Sequence, residues 1–304
     1  MKNVPKEIHD TLRRARRLEW WTLFWQATIV VGMYFAIGSS QSMKSAWVED
    51  LLGLLPATTF LIALHFEQKR PTERFPFGYA RFNSLAFLVS ATGLVVMGLF
   101  LVYDSMSKLV QAEHPTIGPA PVFGADLWMG WVMVAVLAYS VVPPVILGRL
   151  KIPLARKLQD KVLYTDALMQ KADWMTGLAG AFGVIGVGLG WWWADSVAAL
   201  VISVNIINDG RKALTISAAE LVDGTPRKLD TNEIAEDAQR LEESLKADWG
   251  ASHVKLRECG RYIFAEVDRL DGTPTLDQMW PDGQERPWRL ASVSKTLRVR
   301  ETVE

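Results

Sequence analysis

Residues 84–107, SLAFLVSATGLVVMGLFLVYDSMS, carry a single charged side chain, Asp104. A run of that length matches the roughly 20 residues a helix needs to cross the hydrocarbon of a bilayer. In lipid each backbone N–H and C=O must pair within its own segment, which excludes open strands and solvated loops at that depth. Comparable runs are predicted at about 19–39, 46–65, 126–148, 162–189 and 193–208. The expected fold class is therefore an α-helical membrane protein with six transmembrane helices. Pro143 and Pro144 in the fourth run are expected to kink or end its helix.

Charge orients these spans. Arg13, Arg14, Arg16 and Arg17 precede the first; Lys69, Arg70, Arg74 and Arg81 lie between the second and third; RLKIPLARKLQDK, read as a short basic loop, joins the fourth to the fifth. The alternate connections hold little beyond Lys44. Cytoplasmic loops carry the excess of Lys and Arg, so both termini are expected in the cytoplasm, in a multi-pass protein of a bacterial inner membrane. Trp20, Trp21 and Trp25 stand where an interfacial belt would lie. The polar, basic opening does not read as a cleavable signal peptide, and the first span is expected to remain as an anchor.

Several function classes are excluded. The formal net charge is zero over 304 residues, half of them hydrophobic, and no nucleic-acid surface stands out. One cysteine, Cys259, rules out an internal disulfide framework and a cysteine metal cluster, and it reads as a buried or neutral small residue. No Ser/His/Asp set, HExxH or phosphate-cradling glycine loop is present, so the chain is not expected to be an enzyme, and no prosthetic group is implied.

Acids inside the spans carry the functional signal. In DKVLYTDALMQKADWMTGLAG, residues 160–180, Asp166, Met169, Gln170 and Asp173 fall on one helix face. An acid at the centre of a membrane helix costs roughly 2.5–3.5 kcal/mol, so that face should look into the protein or onto a water path. A second acidic point, Glu49 and Asp50, lies in the second span. Glu49 and Asp50 point about 100° apart, so one of them is expected to face the partner helix fully. Glu49, Asp50, Asp166, Gln170 and Asp173 together would form an oxygen-rich site suited to hard ions such as Mn²⁺, Mg²⁺ or Fe²⁺. Met169 reads as packing, and Asp166 lies near the cytoplasmic interface. Asp195 reads as a helix N-cap, Asp104 as an interfacial ion-pair partner, and Lys171 as a long stem able to reach an acid. His9, His65, His114 and His253 have no second histidine at ligand spacing.

From Asp209 the composition becomes that of a soluble domain, and the chain is divided into a membrane part, 1–212, and a C-terminal part, 213–304. An amphipathic helix with Ile234, Ala238, Leu241 and Leu245 inward is predicted, ending before Gly250. Two short strands follow around a Cys-Gly turn, then a Pro/Gly-rich loop and a last helix or strand.

FPFGYAR (75–81), TDALMQKADWMTGL, WWADSVAALVIS (192–203), AAELVDGTP (218–226) and GRYIFAEV resemble, in order, segments of the cation diffusion facilitator family. The resemblance implies a dimeric exporter of divalent metal, exchanging it for protons at a site between the second and fifth helices. It also implies a small ferredoxin-like cytoplasmic domain. The cargo is expected among Mn²⁺, Fe²⁺, Co²⁺ and Zn²⁺; the partners are the cation, protons, the lipid bilayer and a second copy. Carried over by position, Glu49 and Asp173 match two of four usual ligands, whereas Gly53 and Met169 stand at the other two. A non-transporting scaffold or regulator is the alternative expectation.

Overall fold

The computed structural model describes residues 4–36, 41–112, 119–122, 125–272, 274–281, 283 and 286–296. His114, part of the connection after the third span and the last residues of the tail lie outside them. Six long helices come first: α1 Lys6–Ala36, α2 Gln41–Glu67, α3 Arg81–Val110, α4 Met129–Leu158, α5 Lys161–Gly188 and α6 Ala194–Leu221. Among the described residues, Trp47–Glu67 and Arg81–Val110 are long and apolar enough to cross a membrane, with mean hydropathies of 1.5 and 2.5. Between α3 and α4 a short antiparallel hairpin pairs β1 Pro119–Val122 with β2 Ala125–Trp128, whose second strand takes up the start of the run predicted at 126–148. Two residues, Phe123 and Gly124, separate its strands, a spacing that favours a hairpin.

The helices pack mainly as α3 on α6 and α4 on α5, with α2 against α1 and α3. Small residues set the closest approach. A Cβ on Gly98 would lie 2.6 Å from the side chain of Ile207, and one on Gly210 would lie 3.0 Å from the backbone N of Val95, so α3 and α6 touch almost backbone to backbone. One apolar core ties the ends of all six helices together, through Leu12, Phe60, Phe87, Leu158, Leu163 and Ile216. A second lies farther along the bundle around Leu94, Met97, Leu101, Met169 and Ile206. Met169 is fully buried there, in agreement with a packing role.

Two expectations about α4 are corrected. The helix runs through Pro143, Pro144 and Pro153 without ending; each proline removes one backbone donor, and neighbouring helices can support the freed groups. The basic stretch expected as a loop is its last two turns and more, so Lys151 sits inside the bundle, fully buried. At the start of α6, Trp193 holds the N-cap position expected of Asp195, which is the second helical residue. Asp104 does pair with Lys108, at 2.6 Å.

Helix α6 ends at Leu221, and a separate apolar core is built from residues between Ala235 and Leu290. Helix α7, Glu236–Ala247, buries Ala238, Leu241 and Leu245 at the predicted spacing, while Ile234 precedes the helix and is exposed. These face a three-stranded sheet of β3 Val254–Cys259, β4 Tyr262–Val267 and β5 Leu290–Lys295. Strand β4 is central, antiparallel to β3 and parallel to β5. A parallel neighbour requires a crossover, and residues 268–289 supply it with the short helix α8, Leu276–Met279. The turn between β3 and β4 places Gly260 at φ +61°, a left-handed conformation that glycine adopts without strain.

That turn docks on the ends of the long helices. Arg261, 1 % exposed, donates from Nε to Asp160 Oδ2 at 2.6 Å and from Nη1 to Glu67 Oε2 at 2.8 Å. The Gly260 N–H donates to Ser84 Oγ and Glu220 Oε1, both at 2.9 Å. Lys161 bridges Glu220, at 3.1 Å, and Glu258, which also accepts from Arg289 Nη2 at 2.9 Å. Burial raises the Glu258 carboxyl above its ordinary range, and the cations of Lys161 and Arg289 oppose that rise. Cys259 is buried at the same junction, and burial pushes its thiol up to about 11, which disfavours the thiolate.

Candidate metal centre

The inner face of α1 is built on a strict helical spacing. Ala15, Glu19, Thr22 and Gln26 recur at intervals of four, three and four residues, and all are buried, while Trp20, Trp21 and Phe24 are each more than half exposed. Apolar residues therefore face outward and a polar stripe faces α2, α4 and α5, the inverse of a water-soluble helix.

Two polar groupings arise along that stripe. At the first, Lys151 of α4 donates to Glu19 Oε2 at 3.0 Å and to Asp166 Oδ2 of α5, all three side chains being fully buried. An ammonium between two carboxylates satisfies part of the burial cost of each. Glu19 Oε1 and Asp166 Oδ1 remain buried without a hydrogen-bond partner. Asp166 thus shares the face of Asp173 as the spacing predicts, but its charge is held by Lys151.

Two turns farther along α5 lies Asp173, whose Oδ2 is buried with no hydrogen-bond partner. One turn back, Gln170 is 1 % exposed and its Nε2 is likewise unpartnered. Across from them α2 presents Glu49, which lies beside the Thr176 hydroxyl of α5. Glu49, Asp50 and Asp166 are the carboxylates near enough to act electrostatically on Asp173. Gly53, one turn along α2 from Glu49, puts bare backbone beside Asp173: a Cβ there would lie 3.7 Å from Asp173 Oδ2. Lys171 turns away and pairs with Asp209 of α6 at 3.3 Å.

The structure therefore brings Asp173 and Glu49 to the contact of α2 and α5, keeps Asp50 beside it, ties Asp166 to a lysine, and packs the base of the Gln170 side chain against Gly148 of α4. Among the described residues, no three His, Cys, Asp or Glu side chains converge tightly enough to hold an ion as they stand. The donor set is nevertheless entirely oxygen-bearing, and buried acceptor atoms without partners are what a hard cation or its waters would satisfy. Sequence reading missed Glu19, Gln26 and Lys151. The spacing of the first two was visible, since an acid and an amide seven residues apart in an apolar run mark one face.

The family model described as the cation efflux transmembrane domain matches residues 22–222. The manganese efflux system protein MneS of Bacillus subtilis (strain 168) is 23% identical over 239 residues, covering 79% of this chain and 76% of that protein. A cadmium, cobalt and zinc/H⁺-K⁺ antiporter of the same strain is 21% identical over 189 residues, 62% of this chain and 55% of its own. The zinc transporter ZitB of Yersinia pseudotuberculosis serotype I (strain IP32953) is 25% identical over 179 residues, 58% and 53% respectively. The matched region thus spans three quarters of the first relative and little more than half of the other two.

Proposed function

Since the chain belongs to the cation efflux family, a family of membrane transporters rather than enzymes, we propose that it exports a divalent metal cation from the cytoplasm in exchange for protons. The buried, unpartnered carboxylate oxygen of Asp173 at the contact of α2 and α5 carries this reading. Glu49 and Asp50 bring further negative charge to it, and Gln170 adds an amide. Asp166 joins the set only when Lys151 releases it.

The chemistry follows from the donors. Metal and proton compete for the same carboxylate oxygens, so a site that exchanges one for the other couples their movements. Alternating access then exposes the carboxylates to each side in turn as helices rock about the site. Oxygen donors suit Mn²⁺ and Fe²⁺ better than they suit a zinc selected by His or Cys. The activities given for the relatives, with manganese, zinc, cadmium and cobalt among their ions, support a cargo of that class.

The membrane placement has support of its own. Val96, Leu99 and Tyr103 of α3 and Val201 and Val204 of α6 are 45–72 % exposed, a belt of apolar surface that water disfavours and lipid accepts. Arg13, Arg16 and Arg17 sit just before the exposed Trp20 and Trp21, the order expected at a cytoplasmic interface. We read α1 to α6 as six membrane spans with both termini cytoplasmic in an inner membrane. The C-terminal sheet and helices form a ferredoxin-like domain through which two copies pair.

The test is ion flux in proteoliposomes under a pH gradient, with Mn²⁺, Fe²⁺, Co²⁺ and Zn²⁺ offered in turn and internal pH followed. Uptake with proton counterflow that is lost in Asp173→Ala is the expected result. Absence of flux for every ion in folded, inserted protein would overturn the proposal.

A further inference from the structure

Gln26 has no part in the transport chemistry described so far, yet it is 4 % exposed and belongs to the polar stripe of α1. Its amide ends at the one place where α2 offers no side chain. A Cβ built on Gly53 would lie 2.4 Å from Gln26 Nε2 and 3.7 Å from Asp173 Oδ2. Three helices meet at that point: α2 contributes bare backbone, α1 an amide and α5 a carboxylate whose nearer oxygen has no hydrogen-bond partner. The space that a side chain at position 53 would fill is occupied from α1 instead.

From this arrangement we infer that Gln26 is a ligand-bearing residue of the cation site and helps set which ion it takes. The inference rests on the reading of Asp173 as the cation's carboxylate. An amide suits the position because it can serve the site in two states. Its NH₂ can donate toward Asp173 when no cation is bound, and its carbonyl oxygen can turn to the cation when one is. The terminal amide torsion has broad, two-fold minima, so this turn costs little. As a neutral oxygen donor, Gln26 adds a ligand without adding charge. Glu49 and Asp173 then already balance a divalent ion, and the site favours cations that accept neutral oxygens, such as Mn²⁺, over those that demand imidazole or thiolate.

Two independent substitutions remove the amide. Gln26→Ala deletes it. Gly53→Ala displaces it, because the conflicting atom is the free end of a flexible side chain and yields before the helix does. Flux of Mn²⁺ and Zn²⁺ is measured in proteoliposomes for both variants, for the double variant, for Gln26→Ala/Gly53→Asn and for Asp173→Ala. The expected result is a rise of about tenfold in KM for Mn²⁺ in each single variant, with a smaller change in kcat and a narrowed preference between the two ions. The double variant should be no worse than either single one, because both remove the same group. Gln26→Ala/Gly53→Asn, which presents a carboxamide from α2, should recover KM. Unchanged KM and unchanged ion preference in both single variants, with Asp173→Ala still inactive, would overturn the role of Gln26 and leave that of Asp173 standing. Additive losses in the double variant would overturn it as well. Persistent flux in Asp173→Ala would instead remove the reading beneath it.

Discussion

Lys151 shows how a single buried charge organises its surroundings. Its ammonium touches Glu19 and Asp166, and all three side chains are sealed from solvent. Removing one member of such a group leaves the others uncompensated, at a cost of about 3–5 kcal/mol, whereas replacing all of them by neutral groups is often tolerated. Lys151→Met should therefore lower the thermal unfolding midpoint sharply, and Lys151→Met combined with Glu19→Gln and Asp166→Asn should regain most of the loss. A single variant that melts like the native protein would show that the charges are not mutually dependent. At this scale the sequence was only half legible. Asp173 and Glu49 announce themselves because an acid in an apolar run has few bland explanations. Lys151 does not, since it stands in a basic stretch where lysines are ordinarily solvated. Only the continuation of α4 past Pro143 and Pro144 turns it inward, and no spacing rule contains that.

At the scale of elements, the contact of α3 with α6 depends on glycines rather than on interlocking side chains. A methyl group on Gly210 would meet the Val95 backbone N at 3.0 Å and the Leu94 carbonyl carbon at 3.3 Å. Backbone cannot rotate out of the way, so Gly210→Ala must separate the helices or strain them, at about 1–3 kcal/mol. A thermal-melt comparison with Gly53→Ala checks this, since at Gly53 the neighbour is a flexible side chain and the predicted loss of stability is smaller. Equal melting of the two would contradict the close approach. The six long helices were readable from apolar run length, and α7 from the spacing of Ala238, Leu241 and Leu245. The ends were less so. Helices α4 and α6 extend well beyond their apolar runs, because outside the apolar region packing against other chain segments, not hydropathy, decides where a helix stops.

For the molecule as a whole, the junction between the helical bundle and the C-terminal domain is made by ion pairs between residues far apart in the chain, up to the 194 positions separating Arg261 from Glu67. Periodicity cannot encode pairings of that kind, and for that reason the docking was not visible in the sequence. Arg261→Met would strand Glu67 and Asp160 without their cation. Limited proteolysis should then cut the connection between α6 and α7 faster than in the native protein, with little sensitivity to salt, because buried pairs are poorly screened. Arg81→Met, which breaks a largely exposed pair with Asp223, should leave the cutting rate near native. Equal rates for the two variants would refute the buried network as the clasp.

The position of that clasp in the chain also bears on how the protein is made. Glu67, Asp160 and Glu220 belong to helices that leave the ribosome early, whereas the guanidinium groups of Arg261 and Arg289 follow much later. Until those arginines arrive, part of the negative charge at the base of the bundle lacks its final counterion. Domains fold largely in the order they emerge, so the bundle passes through an interval in which it is assembled but electrically unfinished, and residues made much later complete it.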